Sequence, residues 1–88
     1  MAIAPRVGRI IRKYRENAQL SQEELAERSG LHRTYISLVE RGRRNITVDA
    51  LNQIAEALEV YPSRLMSEAE KEPESSSNPG TRRSRGRT

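Results

Sequence analysis

The sequence predicts an all-α protein, a compact bundle of five short helices followed by a disordered C-terminal tail. Apolar residues recur three and four positions apart in successive segments, capping residues and glycines mark the ends of those segments, and the composition turns polar and charged from Ser67 onward. A chain of 88 residues provides one domain at most. We therefore divide it into a folded domain over residues 1–66 and a tail over residues 67–88.

The first helix is predicted from about Val7 to Asn17, and Pro5 marks its beginning. Its apolar stripe consists of Val7, Ile10, Ile11 and Tyr14. Basic residues lie between these positions, so the helix has an apolar face and a basic face.

Two short helices joined by a tight glycine turn are predicted next. Ser21 is a favoured N-cap and Glu24 completes a capping box, so a helix starts directly after Ser21. This helix ends at Gly30, because glycine adopts the left-handed conformation without a Cβ clash. A third helix follows from about Arg33 to Arg41. Two helices in this arrangement can place the second one in the major groove of DNA.

The fourth helix has the clearest apolar stripe of the chain. Thr47 is its predicted N-cap, and the helix that follows is about eleven residues long. Its stripe consists of Val48, Leu51, Ile54, Ala55 and Leu58. A short fifth helix begins near Pro62, because proline is favoured in the first turn of a helix.

The composition of the chain narrows the class of partner. Lysine and arginine total 16 against 12 acidic residues, and the resulting net charge of +4 favours a polyanion. The aromatic residues are three tyrosines, too few for the base-stacking platform of a single-strand or RNA binder. Duplex DNA fits this composition better.

Residue content argues against several function classes. The chain has no cysteine and one histidine, His32, so we predict no metal and no cofactor. It has no glycine-rich phosphate loop and no carboxylate cluster beside a base, which predicts that the protein is not an enzyme. No apolar run is long enough for a secretory signal or a membrane span, which predicts a cytoplasmic protein.

The apolar and glycine positions of the two-helix motif resemble the helix-turn-helix of phage Cro and repressor proteins. The matching residues are Leu25, Ala26, Gly30, Ile36 and Val39. The likeness extends from about Val7 to Leu65. The segment HRTYISLVERGRRNIT is also similar to the small controller proteins of restriction-modification systems.

This resemblance implies a repressor-type domain that binds double-stranded operator DNA and regulates transcription. It implies a homodimer on palindromic sites, with half-sites about one helical turn apart. Restriction-modification genes are then the expected targets, RNA polymerase is a candidate protein partner, and the prokaryotic nucleoid is the expected location. The alternative is an antitoxin-type interaction module with the same helices. The tail lacks the apolar segment that such a module needs.

Base contacts are expected from the amino-terminal half of the third helix, because its side chains enter the major groove first. Arg33 is the first candidate, since a guanidinium donates two hydrogen bonds to O6 and N7 of guanine, and a phosphate contact is its alternative. Thr34 offers a hydroxyl and a methyl group to a base edge. Ser37 lies one turn further on, either as a base contact or as a small residue that allows close approach.

Phosphate contacts are expected on both sides of this helix. They are assigned to Gln22, Tyr35, Arg43, Arg44 and Asn45. The resemblance implies the role of Gln22 at the start of the second helix, and it places Tyr35 beside the DNA backbone, with a half-buried tyrosine as the alternative. The two arginines follow in a loop along the other wall of the groove, where Asn45 either contacts phosphate or caps the turn.

Two further sets of residues are structural. By resemblance, Arg15 and Glu40 match a partly buried ion pair that connects the first and third helices. A dimer interface is predicted along helix five and the end of helix four, because so small a core leaves apolar groups there without partners. Its residues are Val60, Tyr61, Leu65 and Met66.

The tail is acidic and then basic. Its basic part contains Arg82, Arg83, Arg85 and Arg87. Two interpretations stay open, an arm that adds non-specific affinity for DNA and a solvated tail.

Overall fold

Five α-helices form the part of the chain that the computed structural model describes, which is residues 4–72. They are α1 (Ala4–Asn17), α2 (Gln22–Ser29), α3 (Arg33–Glu40), α4 (Val48–Leu58) and α5 (Pro62–Lys71). The predicted all-α, five-helix fold is confirmed. Helix α1 begins earlier than predicted, and Pro5 lies in its first turn. Proline is tolerated there because the first N–H groups of a helix make no hydrogen bond within the helix. Within residues 4–72, no helix has the length and apolar content needed to cross a bilayer.

The starts of α2 and α4 and the end of α2 are set by local capping. Ser21 Oγ accepts a hydrogen bond from the Glu24 N–H at 3.0 Å, and the Glu24 carboxylate accepts one from the Ser21 N–H at 2.8 Å. The pKa of Glu24 is lowered, chiefly because the Ser21 N–H stabilises the charged carboxylate. Gly30 ends α2 with a φ of +77°, and the Thr47 hydroxyl caps α4. These predicted helix ends are confirmed.

The core is built from the apolar stripes of all five helices. Its largest fully buried side chains are Val7, Ile10, Ile11, Leu25, Ile36, Val39, Ile54 and Leu65. On α3, Ile36 and Val39 face inward as predicted, which leaves the opposite side of this helix to solvent.

Gly8 allows α1 to pack closely on the end of α3. A Cβ at this position would collide with the Val39 carbonyl oxygen and would lie 2.9 Å from the Glu40 carbonyl oxygen. No side chain fits in this contact, so the two helices meet backbone to backbone. This close contact fixes the position of the carboxyl end of α3 against α1.

The domain boundary predicted at Met66 is wrong, because α5 continues to Lys71. Ala69 lies in this extension and is fully buried in the core. The polar and charged composition from Ser67 onward predicts a disordered tail, but the buried methyl group of Ala69 helps to extend a helix that already packs on its neighbours. Residues 73–88, with the four tail arginines, lie outside the described residues.

Two acidic side chains of the same extension bind α1. Tyr14 Oη donates a hydrogen bond to Glu68 Oε2 at 2.6 Å, and Arg9 Nε donates one to Glu72 Oε1 at 3.2 Å. The pKa of Tyr14 is raised, chiefly because the hydroxyl donates to a carboxylate, with burial as a second cause. Glu68 and Glu72 were assigned to the disordered tail, and they instead attach the end of α5 to α1.

One residue of the predicted dimer interface belongs to the core of the single chain, so that assignment is wrong. Leu65 is fully buried, because α5 packs it toward α1 and α4. Val60 and Met66 are half-buried against the same core. Tyr61 is 80% exposed. Within residues 4–72, Tyr61 is therefore the one of the four whose side chain is mostly exposed.

Candidate nucleic-acid interface

The outer face of α3 carries the residues predicted to read DNA bases. Arg33 and Thr34 are exposed in its first turn, and Ser37 is half-buried one turn later. They lie away from Ile36 and Val39, which hold the opposite side in the core. The helix thus presents one guanidinium and two short hydroxyl side chains over about two turns.

A buried ion pair and one further hydrogen bond join α3, which carries this face, to α1 and α2. Arg15 donates from Nε to Glu40 Oε2 at 2.7 Å and from Nη2 to Glu40 Oε1 at 3.0 Å, so the expected pair is present. Arg15 Nη1 also donates to the Leu20 carbonyl oxygen at 2.7 Å. Gln22 Nε2 donates to Glu40 Oε1 at 3.0 Å. Helices α1, α2 and α3 therefore meet at one carboxylate.

This ion pair is shielded from water. The side chain of Glu40 is 2% exposed and that of Arg15 is 11% exposed. The pKa of Arg15 is raised, chiefly by its hydrogen bonds to Glu40, while burial acts in the opposite direction. Because Arg15 neutralises it, the Glu40 carboxylate does not repel a phosphate that approaches Gln22.

Gln22 and Arg33 border one shallow depression. Its lining consists of Arg15, Ser21, Gln22, Glu23 and Arg33. The starts of α2 and α3 therefore face the same space. A phosphate contact from one helix and a base contact from the other require this proximity.

Tyr35 connects α3 to the start of α4. Its hydroxyl oxygen accepts a hydrogen bond from the Thr47 N–H at 3.2 Å, and the Arg44 guanidinium lies over its ring, 5.5 Å from the centroid. The ring is half-buried against the core. A hydroxyl that accepts one hydrogen bond still has its own hydrogen to donate to a phosphate oxygen. The half-buried position and the phosphate contact are therefore compatible.

The loop between α3 and α4 contains the other predicted phosphate contacts. These exposed residues are Arg43, Arg44 and Asn45. The loop leaves α3 through Gly42, whose φ is +73°, and a Cβ there would lie 2.9 Å from Pro5 Cα. At its other end Thr47 caps α4, as predicted. Both ends of the loop are therefore anchored, and its basic residues project from a fixed frame.

Comparison with known proteins places this arrangement in a family. Residues 11–65 match the family model described as helix-turn-helix, which is more than half of the chain. The chain belongs to this family. Helices α2 and α3 are the two helices of the motif, and Gly30 makes the turn between them.

Similar helix-turn-helix proteins include controllers of restriction-modification systems. The chain is 52% identical over 56 residues to the control protein C.SmaI of Serratia marcescens, across 64% of this chain and 67% of that protein. The solved structure of the controller protein C.AhdI from Aeromonas hydrophila has a TM-score of 0.71 at 40% identity, across 74% of this chain and 98% of that one.

A further solved structure shows the controller protein C.Esp1396I as a tetramer in complex with its natural 35-base-pair operator. Its TM-score is 0.73 at 37% identity, across 81% of this chain and 93% of that one. The predicted resemblance to controller proteins is confirmed.

Two contacts of this helix-turn-helix surface could not be predicted from the sequence. Gln22 and Glu40 are 18 positions apart, and Tyr35 and Thr47 are 12 positions apart. Each contact joins different elements, so no local pattern indicates it. Gly8 did carry a signal, because a glycine inside a helical segment indicates a close backbone contact.

Proposed function

We propose that this helix-turn-helix regulator binds a palindromic operator as a homodimer and controls the transcription of restriction-modification genes. The observation that carries the proposal is the outer face of α3, which presents Arg33, Thr34 and Ser37 while the inner face and the carboxyl end are fixed. A rigid helix with polar, exposed side chains is suited to reading the major groove.

In this proposal the residues divide into base contacts and phosphate contacts. Arg33 donates to a guanine, and Thr34 and Ser37 contact neighbouring base edges. Around them, phosphate oxygens are bound by Gln22, Tyr35, Arg43, Arg44 and Asn45. The depression shared by Gln22 and Arg33 supports this division, since it brings one residue of each class to the same side of the molecule.

More than one copy per operator is expected. Two-fold symmetry of the protein requires half-sites related by a dyad, about 10 base pairs apart or a multiple of this. The tetramer of C.Esp1396I on its operator supports the expectation of several copies, although the homodimer proposed here is a smaller unit.

The target genes are inferred from C.AhdI and C.Esp1396I, which are named as restriction-modification controller proteins. A regulator of this class acts at promoters in the prokaryotic nucleoid, where RNA polymerase is its candidate protein partner.

A footprint on the duplex upstream of this chain's own gene tests the proposal. We expect protection of two half-sites related by a dyad, with affinity about a thousandfold higher than for a scrambled duplex of the same composition. Equal affinity for the two duplexes would contradict sequence-specific binding. Protection of one half-site without a dyad would contradict the homodimer.

A further inference from the structure

A leucine lies among the polar residues on the outer face of α3. Leu38 follows Thr34 by four positions and precedes Arg41 by three, so the three side chains lie within about 60° of one another around the helix axis. This direction is opposite to that of Ile36 and Val39, which point into the core. Leu38 is therefore near the middle of the face that is proposed to meet DNA.

The core of the protein does not explain this leucine. Leu38 is half-buried, but it does not belong to the half-buried apolar residues that pack against the core within residues 4–72. Its main-chain carbonyl oxygen accepts a hydrogen bond from the Arg43 N–H at 2.9 Å, which helps to end α3. That bond needs no particular side chain. Neither core packing nor helix termination therefore requires a leucine at this position.

The residues around Leu38 favour DNA as the molecule that covers it. Arg33 and Arg41 are both exposed on α3. Arg41 Nε donates to the Ser37 carbonyl oxygen at 3.4 Å, so this guanidinium lies along the helix next to Leu38. An apolar protein surface would have to bury these charges, whereas a polyanion binds them.

The chemistry of a leucine restricts which base it can recognise. Its side chain makes no hydrogen bond, and the C5 methyl group of thymine is the apolar group that base edges present in the major groove. Against any other base, leucine would exclude water from donors and acceptors without replacing the lost hydrogen bonds. Leu38 therefore matches thymine and disfavours the other three bases.

We propose that Leu38 contacts the C5 methyl group of a thymine in each half-site and so determines part of the sequence preference. This inference rests on the proposed function and deepens it, because it adds a base contact that is independent of hydrogen bonding. Arg33 then selects guanine through its guanidinium, while Leu38 selects thymine through apolar contact.

Replacement of thymine by deoxyuridine tests the proposal with the wild-type chain, since it removes the methyl group and keeps the base pair. Binding to an operator duplex with deoxyuridine in both half-sites should be weaker by about fourfold for each methyl group that Leu38 covers. The same replacement in a scrambled duplex controls for general effects on DNA and should leave affinity unchanged. Single replacements then locate the thymine concerned.

Variants assign the methyl contact to one side chain. Leu38→Ala should bind the thymine and deoxyuridine operators equally, because the alanine side chain is too short to reach the methyl group. Leu38→Met keeps a long apolar side chain and should keep the preference for thymine. Thr34→Ser is the matched comparison, since it removes a methyl group from the same face and keeps the hydroxyl. It should also keep the preference at that thymine.

The outcomes separate this inference from the proposed function. Equal binding of the two operators, combined with a preference for operator over scrambled DNA, would overturn the role of Leu38 and leave the proposed function standing. Loss of the thymine preference in Thr34→Ser but not in Leu38→Ala would assign the contact to Thr34. An unfolded Leu38→Ala variant, detected by circular dichroism, would place Leu38 in the core and overturn the inference. Equal affinity of the wild type for operator and scrambled duplexes would overturn both proposals.

Discussion

Gln22 and Glu40 are joined by a hydrogen bond of 3.0 Å that runs from Nε2 of the amide to Oε1 of the carboxylate. A carboxylate only accepts hydrogen bonds, so the amide nitrogen of Gln22 must face Glu40. The second N–H and the carbonyl oxygen of the amide remain for DNA. The start of α2 and the end of α3 therefore form one unit, and a disturbance at Glu40 reaches the predicted phosphate contact.

The first prediction concerns the ion pair on which this unit depends. Arg15→Met leaves Glu40 buried without its cation, and we expect a loss of about 3–5 kcal/mol in the free energy of unfolding. Urea denaturation measures this loss. Arg12→Met is the matched control, because the pair of Arg12 with Glu16 is exposed and should contribute less than about 1 kcal/mol. Equal losses in the two variants would mean that burial does not determine the strength of the pair.

The second prediction separates base reading from phosphate binding. Arg33→Ala should cost about 1–3 kcal/mol on the cognate operator and relax the preference at one base pair. Arg43→Ala and Gln22→Ala should weaken binding to all sequences by similar factors. Titrations against operators with single base changes measure both effects. If Arg33→Ala weakens cognate and scrambled duplexes equally, Arg33 binds phosphate.

The third prediction is a dependence of stability on alkaline pH. The bond to Glu68 raises the pKa of Tyr14 in the folded protein above its value in the unfolded chain. Its contribution to stability is therefore complete below about pH 10 and is lost as the pH rises through the folded-state pKa. We expect the difference in unfolding free energy between wild type and Tyr14→Phe to be constant near neutral pH and to shrink above about pH 10.

Urea denaturation at a series of pH values measures this difference. Tyr61→Phe controls for the removal of a hydroxyl group, because Tyr61 is exposed and lies on the other end of α5. A difference for Tyr14→Phe that stays constant through the alkaline range would argue against the hydrogen bond to Glu68.

The fourth prediction uses two truncations. A chain that ends at Met66 loses Ala69 and the contacts of Glu68 and Glu72 with α1, so it should unfold at lower urea concentration. A chain that ends at Glu72 keeps these contacts and should retain wild-type stability. If the tail arginines bind DNA, this second truncation should also make the slope of log affinity against log salt shallower by roughly two to three units.

Salt titrations of operator binding distinguish the two interpretations of the tail. An unchanged slope after truncation at Glu72 would mean that the tail is solvated. Wild-type stability after truncation at Met66 would contradict the attachment of α5 to α1.

Both ends of α2 and the start of α4 could be predicted from the sequence because capping is local. The Ser21 and Glu24 side chains act within one turn, and Gly30 supplies its own backbone freedom. The end of α5 could not be predicted in this way. It depends on bonds to Tyr14 and Arg9, which lie 54 and 63 positions from their acidic partners.

The candidate site likewise has one feature that the sequence predicts and one that it does not. Helical periodicity separates the outer residue Arg33 from the inner residue Ile36, so the exposed face of α3 follows from the sequence. Periodicity does not say whether an apolar residue packs within the chain or against another copy. Leu65 and Val48 were both apolar positions of a helix, and only the packing of the five helices shows that the first is buried and the second exposed.

The contact at Gly8 has a consequence for genetics. Any side chain at this position must displace the carbonyl groups of Val39 and Glu40, and with them the carboxyl end of α3. A mutant screen scored by loss of operator binding should therefore return substitutions of Gly8 together with those of Arg33. The two classes look alike in such a screen, although the glycine is buried in a different helix and touches no nucleotide in the proposed complex.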